Sequence, residues 1–160
     1  MATKKRKKPA RTARKRAPKR VTKRPRLSAR RQPESLRLRS MAVSLTVNDV
    51  VKSIAWYRDV LGFTEGERWE ENGELRGMQL KAGRCDLMLN QDDFAKGRDR
   101  QKGDGFRLWI STIQDLHAIA ARIQANGGVL DHPPRAMPWG DLAFAITDPD
   151  GYKVTCIQEE

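Results

Sequence analysis

SMAVSLTVNDVVKSIAWYRDVLGF, residues 40–63, contains a change of period that decides the fold. In its first eight residues Met41, Val43, Leu45 and Val47 alternate with Ala42, Ser44 and Thr46, the mark of a strand with two unlike faces. Asn48 or Asp49 then offers a side-chain cap for the free N–H groups of a helix start. Val50, Ile54, Tyr57 and Leu61 follow at helical spacing, and Gly62 supplies a stop. Three further strand-like stretches come next. TEGERWEE meets LRGMQLKA across the turn ENGE, and CDLMLNQ follows Gly83.

The same order then recurs. FRLWISTI, residues 106–113, reads as a strand, and Asp115 opens a helix with Leu116, Ile119, Ala120 and Ile123 on one side, ended by Gly127 and Gly128. GGVLDH, DLAFAIT and YKVTCIQ supply three more strands. Ile54-Ala55 lies eight residues before Gly62, and Ile119-Ala120 eight before Gly127. The reading is an α+β domain built from two βαβββ units of about 60 residues each.

Residues 1–40 carry eighteen Lys and Arg against one acid, Glu34, a net +17, whereas residues 41–160 carry fourteen bases against nineteen acids, a net −5. The expected division is a basic tail over 1–35 and a folded domain over 36–160. The tail has no glycine, has prolines at 9, 18, 25 and 33, and holds almost no large apolar residue, so it is expected to be disordered. A flexible polycation neutralises phosphates without reading sequence. Lys4, Lys5, Arg6, Lys7, Lys8, Arg14, Lys15, Arg16, Lys19 and Arg20 are the expected contacts to nucleic acid or another polyanion. In composition the tail is similar to the Lys/Ala/Pro/Arg tails of linker histones. A solubilising extension is the plainer alternative, and KKRKK and RKR would serve as nuclear import clusters in a eukaryotic host.

Two cysteines, Cys85 and Cys156, make neither a disulfide framework nor a zinc knuckle. No apolar run approaches the roughly 20 residues that span a bilayer. The expected location is the cytoplasm, with nucleoid or nuclear association through the tail.

WYRDVLGF (56–63), PWG (138–140) and DPDG (148–151), set within two βαβββ halves, resemble the vicinal oxygen chelate superfamily, which holds glyoxalases, bleomycin-resistance proteins and extradiol dioxygenases. The resemblance implies curved half-barrels whose concave faces enclose a cavity, with helices on the convex side. The expected concave residues are Ala42, Ser44 and Thr46 on the first strand, Leu108, Ile110 and Thr112 on the fifth, and Lys153, Thr155 and Ile157 on the last.

Metal-binding members of that superfamily place His or Glu at the head of the first and fifth strands and near the ends of the fourth and eighth. Counting seven residues back from Asp49 gives Ala42, and the same count from Asp115 gives Leu108. The eighth-strand slot falls on Thr155 and the fourth on Asp86 or Leu87. A catalytic divalent ion needs about three carboxylate, imidazole or thiolate ligands, so no metal, no cofactor and no catalytic residue is expected. His117 and His132 are read as solvated.

The remaining function is a small-molecule site, with Ala42, Ser44, Leu108, Ile110, Met137, Trp139, Tyr152 and Thr155 as the lining. Trp69 and Phe106 are further candidates. Trp56 and Trp109 are read as packing residues, Lys153 as a solvated strand end, and residues 91–105 as a solvated linker or a gate over the pocket. The alternatives are a metal-dependent lyase or dioxygenase of the same superfamily, and an interaction protein whose barrel is only scaffold. A homodimer is expected on family grounds.

Overall fold

The computed structural model describes residues 40–159. The expectations of disorder and of polyanion contact in the basic tail lie outside the described residues.

Each half consists of a strand, a helix and three strands. The first half runs β1 (Val43–Val47), α1 (Val50–Trp56), a π-helical turn (Tyr57–Leu61), β2 (Thr64–Glu71), β3 (Glu74–Ala82) and β4 (Cys85–Gln91). The second runs β5 (Arg107–Thr112), α2 (Leu116–Ala125), β6 (Leu130–Ala136), β7 (Leu142–Thr147) and β8 (Lys153–Gln158). The two four-stranded sheets have matching orders, β1-β4-β3-β2 and β5-β8-β7-β6. In each, the first strand pairs in parallel with the last, which the intervening helix makes possible. The two βαβββ modules read from the sequence are therefore both present.

Local chemistry sets the boundaries. The Asp49 side chain accepts from the Lys52 N–H at 3.0 Å and caps α1. Asp115 does the same for α2, accepting from the N–H groups of His117 and Ala118. Gly62 closes the first helix with φ +83°, a conformation an L side chain resists. The helical spacing predicts Val50, Ile54, Tyr57 and Leu61 on one buried face. The first three are buried, but the widened π turn brings Val60 into the interior and leaves Leu61 half-buried.

Burial is one-sided in the first sheet, whereas the central strands of the second, β7 and β8, are buried on both faces. Leu45, Val47, Met78, Leu80, Leu87 and Leu89 pack with Val50, Ile54 and Tyr57 in the first half. Phe144, Ile146, Val154 and Cys156 pack with Leu116, Ala120 and Ile123 in the second, joined there by Val60 of the first half. Burial pushes the Cys156 thiol up to about 12, so it acts as a small apolar residue.

The DPDG turn clamps the two halves together. Asp148 accepts from the Tyr57 hydroxyl at 2.9 Å and from the N–H groups of Asp150 and Tyr152 at 2.9 and 2.7 Å. Asp150 reaches back to the first half, accepting from the Asn48 N–H at 2.8 Å and the Ser53 hydroxyl at 2.9 Å. The Tyr152 hydroxyl donates to the Thr46 carbonyl at 3.0 Å. Burial raises the Asp148 pKa. Burial and the adjacent Asp148 carboxylate hold the Tyr57 phenol protonated far above its ordinary range.

The connection between halves is exposed over residues 95–101, as the solvated-linker reading expects, but is anchored at its ends by buried Asp92 and Lys102. Asp92 is 6% exposed. Its carboxylate accepts from Arg100 at 3.0 Å and from the buried Lys102 ammonium, and also takes the Phe94 N–H at 2.9 Å. These cations, led by Lys102, hold the Asp92 carboxyl well below the usual carboxylate range. Arg98 lies over the Phe94 ring at 4.3 Å. Interior charge needs partners, and the loop supplies them from its own sequence.

Candidate functional site

The face of each sheet away from its helix carries the residues left over from the core. On β1 these are Ser44 and Thr46, as the alternation predicts, with exposed Ala42 preceding the strand. Register carries the same face across to Met88 and Asn90 on β4 and to Gln79 on β3. Asn90 Nδ2 donates to Ser44 Oγ at 2.6 Å. Asp86, paired with Lys81, shares this face, whereas Leu87 is 4% exposed and belongs to the core. Trp69 lies across Gly77, where a Cβ would stand 2.8 Å from its ring.

The second sheet differs from expectation by one residue. Leu108 and Ile110 pack against the helix-side core, and Thr112 shares their parity. The concave residues on β5 are Arg107, Trp109 and Ser111, which pair with Lys153, Thr155 and Ile157 on β8. The cause is the length of the strand-to-helix connection. Only Asn48 separates β1 from its capping Asp49, whereas Ile113 and Gln114 separate β5 from Asp115. An equal count back from each cap therefore lands on opposite faces, because strand side chains alternate with period two. Trp109, read from sequence as a packing residue, is the residue in register with Thr155. The alternation of RLWIST itself carried the signal: Leu108 and Ile110 are its apolar pair, Arg107, Trp109 and Ser111 the mixed one.

Three side chains dominate this face. Trp109 is 56% exposed, and Trp139, from the β6–β7 hairpin that also holds Met137, is 51% exposed. Their ring centroids lie 5.6 Å apart with a 40° tilt. Thr155 is 3% exposed, and its hydroxyl accepts from Arg107 Nη1 at 2.9 Å. Ala143 and Ala145 of β7 pair with Ile157 and Thr155, and all four are buried. A cleft of about 530 Å³ opens at the heads of β5 and β8, between residues 101–107 and the Asp150-Gly151 turn, with Arg107 and Lys153 in its lining.

Other sequence candidates lie elsewhere. Tyr152 falls outside the concave face: it meets Phe106 edge-on at 5.9 Å and spends its hydroxyl on β1. Trp56 is half-buried and packs against both cores, as expected of it. His117 is exposed on α2, and His132 Nδ1 lies 3.0 Å from the Pro133 carbonyl.

The family model for the Glyoxalase/Bleomycin resistance protein/Dioxygenase superfamily matches residues 39–155. The chain belongs to this superfamily. Among superfamily relatives, a probable lactoylglutathione lyase of Vibrio cholerae serotype O1 is 28% identical over 131 residues, covering 76% of this chain and 91% of that protein. Among solved structures, TioX from a Micromonospora species aligns with a TM-score of 0.63 at 20% identity, covering 76% of this chain and 99% of that one. A glyoxalase/bleomycin resistance protein/dioxygenase superfamily member from Sphaerobacter thermophilus aligns with a TM-score of 0.61 at 22% identity, covering 75% and 98%.

Register shows which residues stand at the four positions where the resemblance implies metal ligands. Ala42 and Asp86 stand for the first half. Trp109 replaces Leu108 beside Thr155 in the second. Among the described residues, no three His, Cys, Asp or Glu side chains are grouped so as to hold a metal ion. Among the same residues, no helix is long and apolar enough to cross a membrane.

Proposed function

We propose that this chain is a metal-independent member of the superfamily that binds a small organic molecule on its half-barrel faces and contacts nucleic acid or another polyanion through its basic tail. One observation carries the reading: Thr155 Oγ1 already accepts from the Arg107 guanidinium at 2.9 Å. A fixed positive charge at that slot repels a second cation, and a neutral hydroxyl offers it little in return. With alanine, tryptophan and threonine in three slots, Asp86 is the only anionic donor left, and the set does not fit a catalytic divalent ion. What remains is a face with a few convergent polar groups and two exposed indoles, the usual makings of a small-molecule site.

The test is metal analysis of protein purified without chelators and then incubated with zinc, nickel or manganese. The expected content is well below one ion per chain. One ion per chain would overturn the reading and favour the second one, a metal-dependent lyase, which the name of the Vibrio cholerae relative supports.

The tail is tested separately. Deleting residues 1–33 should abolish DNA binding, and in the full chain affinity should fall with salt at a log–log slope of about −0.9 per neutralised phosphate. Salt-independent DNA binding that survives the deletion would place it on the folded domain. A homodimer is part of the same proposal, and sedimentation at several concentrations reads it directly.

A further inference from the structure

We infer that the concave face of the second half-barrel takes a planar aromatic ligand carrying an anionic group, its ring on Trp109 and Trp139 and its anion between Arg107 and Lys153. The inference rests on the small-molecule reading above and names the ligand class.

Two large indoles more than half exposed are costly in water unless something covers them. At 5.6 Å their centroids are within contact range, so the ligand lies across their outer faces and not between them. Ala143 and Ala145 of β7 are buried beside Thr155 and Ile157, so the surface open to a ligand here is that of the two indoles.

The charge comes from the same two strands. Arg107 stands two residues before Trp109 on one strand face, about 6.7 Å along the strand. Lys153 is its neighbour across the ladder. Both line the cleft, and among the described residues neither forms an ion pair. Arg107 spends one N–H on Thr155, which orients the guanidinium and leaves its other donors free. Of the two carboxylates that line the cleft, Asp150 has partners and Asp104 makes no side-chain hydrogen bond or ion pair among the described residues. Asp150 is taken by Asn48 and Ser53, and Asp131 on β6 by the Thr147 hydroxyl at 2.9 Å. Asp104 also borders the cleft and narrows the anion's place to the Arg107–Lys153 side. A cationic aromatic would meet two like charges there, whereas an aromatic acid gains charge-assisted hydrogen bonds.

Calorimetric titration of the full chain with 2-naphthoate, 2-naphthalenemethanol and 2-naphthylmethylammonium tests this. The naphthoate should bind about tenfold or more tighter than the alcohol, and the ammonium most weakly. Arg107→Gln should bring the naphthoate down to the affinity of the alcohol, and Lys153→Gln should weaken it several-fold. Trp139→Ala should weaken naphthoate and alcohol together by about tenfold, the loss of one stacking surface. The basic tail is identical in every variant, so a loss on Arg107→Gln is local to the face. Equal affinities for the three probes, or an Arg107→Gln protein that binds as the parent does, would overturn the inference. Absence of binding by all three would overturn it too, while the metal analysis decides separately on the metal-independent reading.

Discussion

The two halves share a strand order and differ on the faces that the order leaves free. In the first, Ser44, Asn90 and Gln79 present neutral polar groups, two of them already bonded to each other, and Lys81 and Asp86 a pair of opposite charges. In the second, Arg107, Lys153 and the Trp109–Trp139 pair present charge and aromatic surface. The helix-facing sides are alike, aliphatic and buried, because each must cover one helix. One face of each module is thus constrained by folding; on the other, the second module also buries Ala143, Ala145, Thr155 and Ile157 and leaves Arg107, Trp109 and Lys153 exposed.

The comparison is broken most severely from the core. Leu80→Ala in β3 and Phe144→Ala in β7 remove side chains that are fully buried at equivalent places in the two sheets. Each should cost about 2–5 kcal/mol of unfolding free energy, in a single transition by chemical denaturation. Two separate transitions would mean that the halves fold independently and that the DPDG clamp is weak.

The clamp is next in size. Tyr57→Phe removes a donor to the buried Asp148 carboxylate and should cost about 1.5–3 kcal/mol. Two acids then give opposite pH signatures. Asp148 has a raised folded-state pKa, so its contribution is fully present below the unfolded pKa and is lost as pH rises through the folded value. Asp92 has a lowered one, so its contribution is present above the unfolded pKa and is lost as pH falls through the folded value. Asp148→Asn should flatten the stability curve above about pH 4, and Asp92→Asn should flatten it below. Denaturation across that range reads both slopes, and a reversal of either would remove its assignment.

The smallest effect sharpens the distinction between the faces. Trp139→Ala should change stability by no more than about 0.5 kcal/mol, since the ring is half exposed in a hairpin. Trp56→Ala, against both cores, should cost several times more. A large loss at Trp139 would make it a packing residue and not a recognition surface.

How much of this was legible in the sequence follows from the same asymmetry. Alternation in β1, the caps at Asp49 and Asp115 and the stops at Gly62 and Gly127 are local signals, and they yielded both modules. The placement of Leu108 and Ile110 failed because a count from the helix cap assumed equal connections, and one extra residue before Asp115 inverted the face. The clamp was out of reach: that Tyr57 meets Asp148 and Tyr152 meets the Thr46 carbonyl depends on segments about a hundred residues apart. The buried Asp92–Lys102 pair was equally hidden, since a loop rich in both charges reads as solvated until its geometry is known.

The central claim is that a hydroxyl already bonded to a guanidinium stands at one of the positions proposed for the superfamily's metal ligands. Calorimetric titration of the full chain with zinc addresses it most directly. The account predicts no saturable one-to-one site, in the parent or in Asp86→Asn. A one-to-one site in the parent that Asp86→Asn or Thr155→Val weakens would contradict it.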